Sequence, residues 1–170
     1  MKKNIEIVML GDSITGRGCW KELLEKETLI NLGIDGDTTT SVLNRINTVL
    51  ELEPKIVFFM LGINDLCISI PLEEVFGNYK KILQKLENKN IRIVVQATLI
   101  TQMPALNKKV DSFNKMIKEY CQKSNLEYLD LNKVFCNEKN LLKEELTTDG
   151  LHLGLKAYKV WAYKLKSYLD

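Results

Sequence analysis

Short apolar runs alternate with amphipathic stretches along the whole chain. Ile5 to Leu10, interrupted only by Glu6, and Lys55 to Leu61, with six consecutive apolar residues from Ile56, have the near-continuous hydrophobicity of strands buried on both faces. Thr28 to Leu32, Ile91 to Ala97 and the shorter Leu126 to Leu131 complete a predicted set of strands. The segments between them repeat their apolar positions every three or four residues. Trp20, Leu23 and Leu24 mark a short helix, and Val42, Leu43, Ile46, Val49 and Leu50 mark another, with Thr38 or Thr39 as its cap and Pro54 just beyond it. Pro71, Glu73 and Glu74 start a helix whose stripe is Val75, Phe76, Tyr79, Ile82, Leu83 and Leu86. Leu106, Val110, Phe113, Ile117 and Cys121 space the next helix. Leu155, Tyr158, Ala162, Leu165 and Leu169 space the last one, with Lys156, Lys159, Lys164 and Lys166 on a solvated face. Residues 132–148 read as mostly irregular.

Strands that alternate with helices build a parallel sheet through right-handed crossovers, because each crossover helix must pack back onto the sheet. The expected fold is therefore α/β: a flavodoxin-like three-layer sandwich with a five-stranded parallel sheet in the order 2-1-3-4-5 and helices on both faces. At 170 residues, with no internal repeat, linker or low-complexity segment, residues 1–170 are expected to form a single domain.

Composition narrows the function classes. The formal charge of +2 comes from interspersed Lys and Glu with no basic block, so nucleic acid is not expected as a partner. Met1-Lys2-Lys3 starts like a secretory leader, but Glu6 interrupts the apolar run and Gly11-Asp12 ends it; with no membrane span following, the expectation is a soluble cytoplasmic protein without stable membrane insertion. Cys19, Cys67, Cys121 and Cys136 form no Cys-x-x-Cys pair and have a single histidine to help them. They read as reduced, buried thiols, with neither a zinc site nor a disulfide framework. There is no Gly-x-Gly-x-x-Gly fingerprint, so no flavin or dinucleotide cofactor is expected, and with one histidine and scattered cysteines no metal is expected either.

That single histidine, His152, confines any imidazole base to Thr147-Thr148-Asp149-Gly150-Leu151-His152. If this segment curls into a turn, the Asp149 carboxylate can accept from Nδ1–H and leave Nε2 free. Ser13, in Gly11-Asp12-Ser13-Ile14-Thr15, lies just past the first strand, and Asn64, in Gly62-Ile63-Asn64-Asp65, just past the third. Gly33-Ile34-Asp35-Gly36-Asp37 follows the second and permits a backbone that turns N–H groups toward a ligand. Taken singly, each stretch is also ordinary turn chemistry. In the order 2-1-3-4-5, however, strands 2, 1 and 3 are neighbours, so Gly36, Ser13 and Asn64 meet at the switch point where open α/β sheets place their ligands.

These four blocks, complete and in order, resemble the SGNH-hydrolase family, also called GDSL-type lipases and esterases. The resemblance covers essentially the whole chain. It implies Ser13 as nucleophile, Asp149 and His152 as the other catalytic residues, and an oxyanion hole made by the backbone N–H groups of Ser13 and Gly36 with the Asn64 amide. Ile14 replaces the leucine of the family's nickname, a conservative exchange. The Gly-x-Ser-x-Gly elbow of the α/β-hydrolases is absent. The implied function is a serine esterase or acylhydrolase that cleaves a small-molecule carboxylic ester; because no long insertion resembles a lid, a shallow site and a short acyl group such as acetyl are expected. Ile68, Ile70, Leu99, Ile100 and Met103 are candidates for lining the acyl pocket. A thioesterase or acyltransferase on the same site remains an alternative. So does a non-catalytic flavodoxin-like module that holds an anion at Gly33 to Thr39.

Overall fold

The computed structural model describes residues 4–169, so the Met1-Lys2-Lys3 start lies outside the described residues. In chain order the elements are β1 (Ile7–Gly11), α1 (Ser13–Gly16), α2 (Trp20–Leu24), β2 (Leu29–Gly33), α3 (Thr39–Leu50), β3 (Ile56–Phe59), α4 (Ile63–Cys67), α5 (Leu72–Glu87), β4 (Arg92–Gln96), α6 (Pro104–Ser124), β5 (Glu127–Leu129), α7 (Asn132–Phe135) and α8 (Leu155–Lys166). The sheet is parallel throughout, in the order β2-β1-β3-β4-β5. Right-handed crossovers then send the β1–β2 connection over one face and the later connections, which step the opposite way, over the other. Accordingly α2 packs on α8, while α3, α5 and α6 pack in series. The expected α/β three-layer fold and strand order are those found.

Central strands β1 and β3 are buried along their full length, as their unbroken apolar runs require. Their register aligns Leu10 with Phe59 and Gly11 with Gly33, which brings the ends of β1, β2 and β3 to one edge. Gly33 is glycine because a Cβ there would lie 2.3 Å from the Gly16 nitrogen; α1 can rest on β2 only without it. The aromatic core on the α8 face contains Trp20, Tyr158 and Trp161, with Trp20 edge-on to both partners at centroid distances of 5.7 and 4.7 Å.

Local differences from the sequence reading have physical causes. The 132–148 stretch contains α7 and a short 3-10 turn at Glu144–Leu146. Leu155 is 66% exposed; it opens α8, and Trp161, absent from the predicted stripe, fills the core instead. All four cysteines are free, but only Cys121 is buried, and Cys19 and Cys67 are exposed. Residue type alone favours burial of a free cysteine, and a position in a loop or at a helix end overrides it. Among the described residues, no helix is long and apolar enough to cross a membrane.

Candidate active site

Ser13 is the first residue of α1, immediately after β1 delivers Gly11 and Asp12 to the edge of the sheet. Asp12 caps this helix: its Oδ1 accepts from the Ile14 N–H at 2.9 Å. Asn31 closes the other end by donating through Nδ2 to the carbonyls of Thr15, Gly16 and Gly18. With both ends tied down, the Ser13 side chain is held on a rigid turn with 6% exposure.

His152 reaches Ser13 from 139 residues away, with Nε2 at 3.1 Å from Oγ. The segment that carries it is an Asx-type turn: Asp149 Oδ1 accepts from the backbone N–H groups of Leu151 (3.0 Å) and His152 (2.7 Å), while Oδ2 lies 2.7 Å from His152 Nδ1. The hydrogen bonds from His152, side chain first and then backbone, push the Asp149 carboxyl down to about 2. An ionised carboxylate can only accept, so Nδ1 carries the proton, and Nε2 presents a lone pair to the Ser13 hydroxyl. Tyr158 fixes the distance from behind. Six residues after His152, it donates from Oη to the Ile14 carbonyl at 2.7 Å, tying α8 to the turn that holds Ser13.

On the other side of Ser13, the loop after β2 forms a four-residue turn closed by Asp37 N–H to Ile34 C=O at 3.2 Å. Gly36, its third residue, has φ +81°, whereas Asp35 is not among the positive-φ residues; that is the type II pattern, which demands glycine at this place. The closing bond uses the Asp37 N–H. Among the described residues, the Gly36 and Ser13 backbone N–H groups take no hydrogen-bond partner. Asn64, at the start of α4, donates one Nδ2 hydrogen to the carbonyl of Asp37, the residue after Gly36, at 2.9 Å, which leaves its second Nδ2 hydrogen without a partner among the described residues. The neighbouring Asp65, fully buried, receives the Thr39 N–H and Oγ1–H at 3.0 and 2.6 Å. Two consecutive residues after β3 thus clamp the loop after β2.

All four sequence-predicted positions, Ser13, Gly36, Asn64 and the Asp149–His152 pair, therefore come to one edge of the sheet. The acyl-pocket candidates do not behave alike. Leu99 and Ile100 are 1% exposed and belong to the core, not to the expected pocket lining; Ile68 and Met103 are 67% and 42% exposed. The sequence reading missed the supporting groups Arg45, Asp65 and Tyr158. It also missed the state of Asp12, which burial, with the charges of Asp37 and Asp65 adding to it, pushes up to about 7 against the pull of the Ile14 N–H.

Asp12 gives a stability prediction. Because its folded value lies above the unfolded one, the folded state holds the extra proton between about pH 4 and 7, and stability falls as pH rises through that window. Asp12→Asn keeps an acceptor for the Ile14 N–H but cannot ionise. Thermal unfolding should show the wild type losing ground to this variant by a few kcal/mol, in order of magnitude, between about pH 4 and 8. Parallel curves would contradict the buried, near-neutral state of Asp12.

The fold and this arrangement define a flavodoxin-like α/β protein with a serine–histidine–aspartate series at the switch point of its sheet. The chain belongs to the GDSL-like lipase/acylhydrolase family, whose family model matches residues 9–160. It is 27% identical over 165 residues to an N-acylneuraminate cytidylyltransferase of Streptococcus agalactiae, covering 96% of this chain and 38% of that protein, so it spans well under half the length of this relative. It is 32% identical over 179 residues to the platelet-activating factor acetylhydrolase IB subunit alpha1 of Rattus norvegicus, covering 98% and 76% of the two chains. Among solved structures, a GDSL-like lipase from Bacteroides thetaiotaomicron superposes with a TM-score of 0.88 at 22% identity, over 99% of this chain and 89% of that one, a likeness of fold.

Proposed function

We propose that the protein is a serine esterase that removes a short acyl group, acetyl foremost, from a small-molecule alcohol through an acyl-enzyme on Ser13. The observation that carries this reading is the unbroken series Ser13 Oγ, His152 imidazole, Asp149 carboxylate, at 3.1 and 2.7 Å, at the sheet edge where the Ser13 and Gly36 backbone N–H groups and one of the two Asn64 Nδ2 hydrogens take no partner among the described residues. In the first half-reaction Ser13 Oγ attacks the ester carbonyl carbon as its proton passes to His152 Nε2; the C–O bond to the alcohol then breaks, and Nε2 returns that proton to the leaving oxygen. Water repeats the sequence on the acyl-enzyme, freeing the acid and restoring the Ser13 hydroxyl. The two backbone N–H groups and the Asn64 amide serve the oxyanion of both tetrahedral intermediates, and Asp149 stabilises the imidazolium that accompanies each of them.

The short-acyl part of the proposal has two supports. With Leu99 and Ile100 packed in the core, the exposed large apolar side chains on the loops after β2, β3 and β4 are the scattered Ile34, Ile68 and Met103, which favours a brief apolar contact over a long channel. The rodent relative is named as an acetylhydrolase. The test is kcat/KM on p-nitrophenyl esters of increasing chain length, with an O-acetylated sugar acid and an acetyl thioester alongside. Acetyl should exceed octanoyl by at least about tenfold, the discrimination that a few misplaced methylenes bring. Equal rates on both chain lengths would overturn the acetyl assignment.

A further inference from the structure

Arg45 lies on the second turn of α3, and its side chain runs back toward the helix N-terminus, out of the apolar stripe and beneath the loop that carries Gly36. Its guanidinium is engaged on several sides. Nε donates to Asp37 Oδ2 at 2.7 Å, and Nη2 donates to the Leu32 carbonyl at 2.7 Å and leans on the Gly11 carbonyl at 3.4 Å. Both side chains of the ion pair are largely buried, at 18% and 11% exposure. One planar fork therefore joins the end of β1, just before Ser13, the end of β2, and Asp37. Asp37 in turn follows Gly36 directly, and its carbonyl receives the Asn64 amide.

We propose that Arg45 is a positioning residue of the oxyanion hole: through Asp37 it holds the Gly36 N–H and the Asn64 amide in register with Ser13. This rests on the esterase reading above. The physical reason is geometric. Three N–H donors on three separate loops stabilise an oxyanion only if they converge, and a misplacement of the order of 1 Å in such a site costs about 10²-fold in rate. A plain structural staple would need only the charge pair. Here the fork reaches carbonyls on β1 and β2 as well, a geometry that a lysine ammonium cannot reproduce.

The experiment compares wild type, Arg45→Met, Arg45→Lys, Asn64→Ala and the Arg45→Met/Asn64→Ala double variant on an acetyl ester, with unfolding midpoints for each. Asn64→Ala should lower kcat by about 10² to 10³. Arg45→Met should lower kcat by about 10- to 100-fold while KM moves by less than about threefold, because the lost interaction exists only in the transition state. Arg45→Lys should recover part of kcat. In the Asn64→Ala background the Arg45→Met effect should shrink, since both variants weaken the same donors. A folded Arg45→Met that keeps kcat, or a loss that stays undiminished in the Asn64→Ala background, would overturn the proposal. Should Arg45→Met fail to fold, Arg45→Lys decides: wild-type kcat in that variant overturns it. Wild-type protein that neither turns over acetyl esters nor takes a fluorophosphonate on Ser13 would instead overturn the esterase reading, and the positioning role with it.

Discussion

Ser13→Ala is expected to lower kcat on an acetyl ester by about 10⁴- to 10⁶-fold, the scale seen when a serine nucleophile is deleted. The substitution removes one oxygen atom and little else. Ser13 opens α1, where its backbone needs no side-chain bond, and the Asp12 cap and the Asn31 bridges that fix the turn do not involve its Oγ. The unfolding midpoint should therefore stay close to that of wild type, and the loss should fall on the chemical step. On the proposed mechanism, the remaining rate reports what Gly36, Asn64 and the residue-13 N–H do for a water that attacks directly, a contribution expected to persist when the nucleophile is gone. Intact mass after fluorophosphonate treatment checks the same residue independently: wild type should gain one adduct on Ser13 and the variant none. A folded variant with kcat within tenfold of wild type would remove Ser13 from the mechanism, and the serine–histidine contact would then be a structural hydrogen bond only.

The parts of this protein that were legible in its sequence are those encoded by neighbours along the chain. Continuous apolar runs specify β1 and β3 because both faces of a central strand are covered, and the glycine-bounded turns after them follow from local backbone demands. Once the alternation of strands and helices gives the order of the sheet, the convergence of Ser13, Gly36 and Asn64 is a matter of topology, and the lone histidine supplies the fourth position. What escaped are bonds between residues with no local relation. Asp65 meets Thr39 across 26 positions, and Tyr158 meets Ile14 across 144. Arg45 lies outside the apolar stripe of α3, and nothing local in the sequence says that its long stem carries the guanidinium back over two turns to Asp37. Leu99 and Ile100 misled for the reverse reason. A loop sequence does not say whether an apolar side chain faces the cleft or the core, and only packing decides it.

Asp149→Asn is expected to lower kcat by about 10⁴-fold, more than the deletion of any single oxyanion donor, although it changes neither the size nor the shape of the side chain. The reason lies in what the residue does for the imidazole. Its Oδ1 accepts from the backbone N–H groups of Leu151 and His152, and an asparagine oxygen can continue to do so, so the turn should survive. The atom that faces Nδ1 then becomes an NH₂, a donor, and Nδ1 can meet it only as an acceptor. The proton moves to Nε2, where it points at Ser13 Oγ and blocks the very proton transfer that attack requires. In the wild type this failure does not arise at ordinary pH, because the carboxyl is held at about 2 by the hydrogen bonds from His152. The sign of the linkage follows: a depressed carboxylate contributes stability above about pH 4 that is lost as pH falls toward 2. With the side chain 52% exposed, solvent screens much of that contribution, so the larger signal is in rate and not in stability. The check is a kcat profile from about pH 5 to 9 for both proteins. Asp149→Asn should run far below wild type across the whole range with a similar unfolding midpoint. A variant that recovered wild-type rates anywhere in it would mean that His152 keeps its working tautomer without a carboxylate, and that Asp149 serves only the turn.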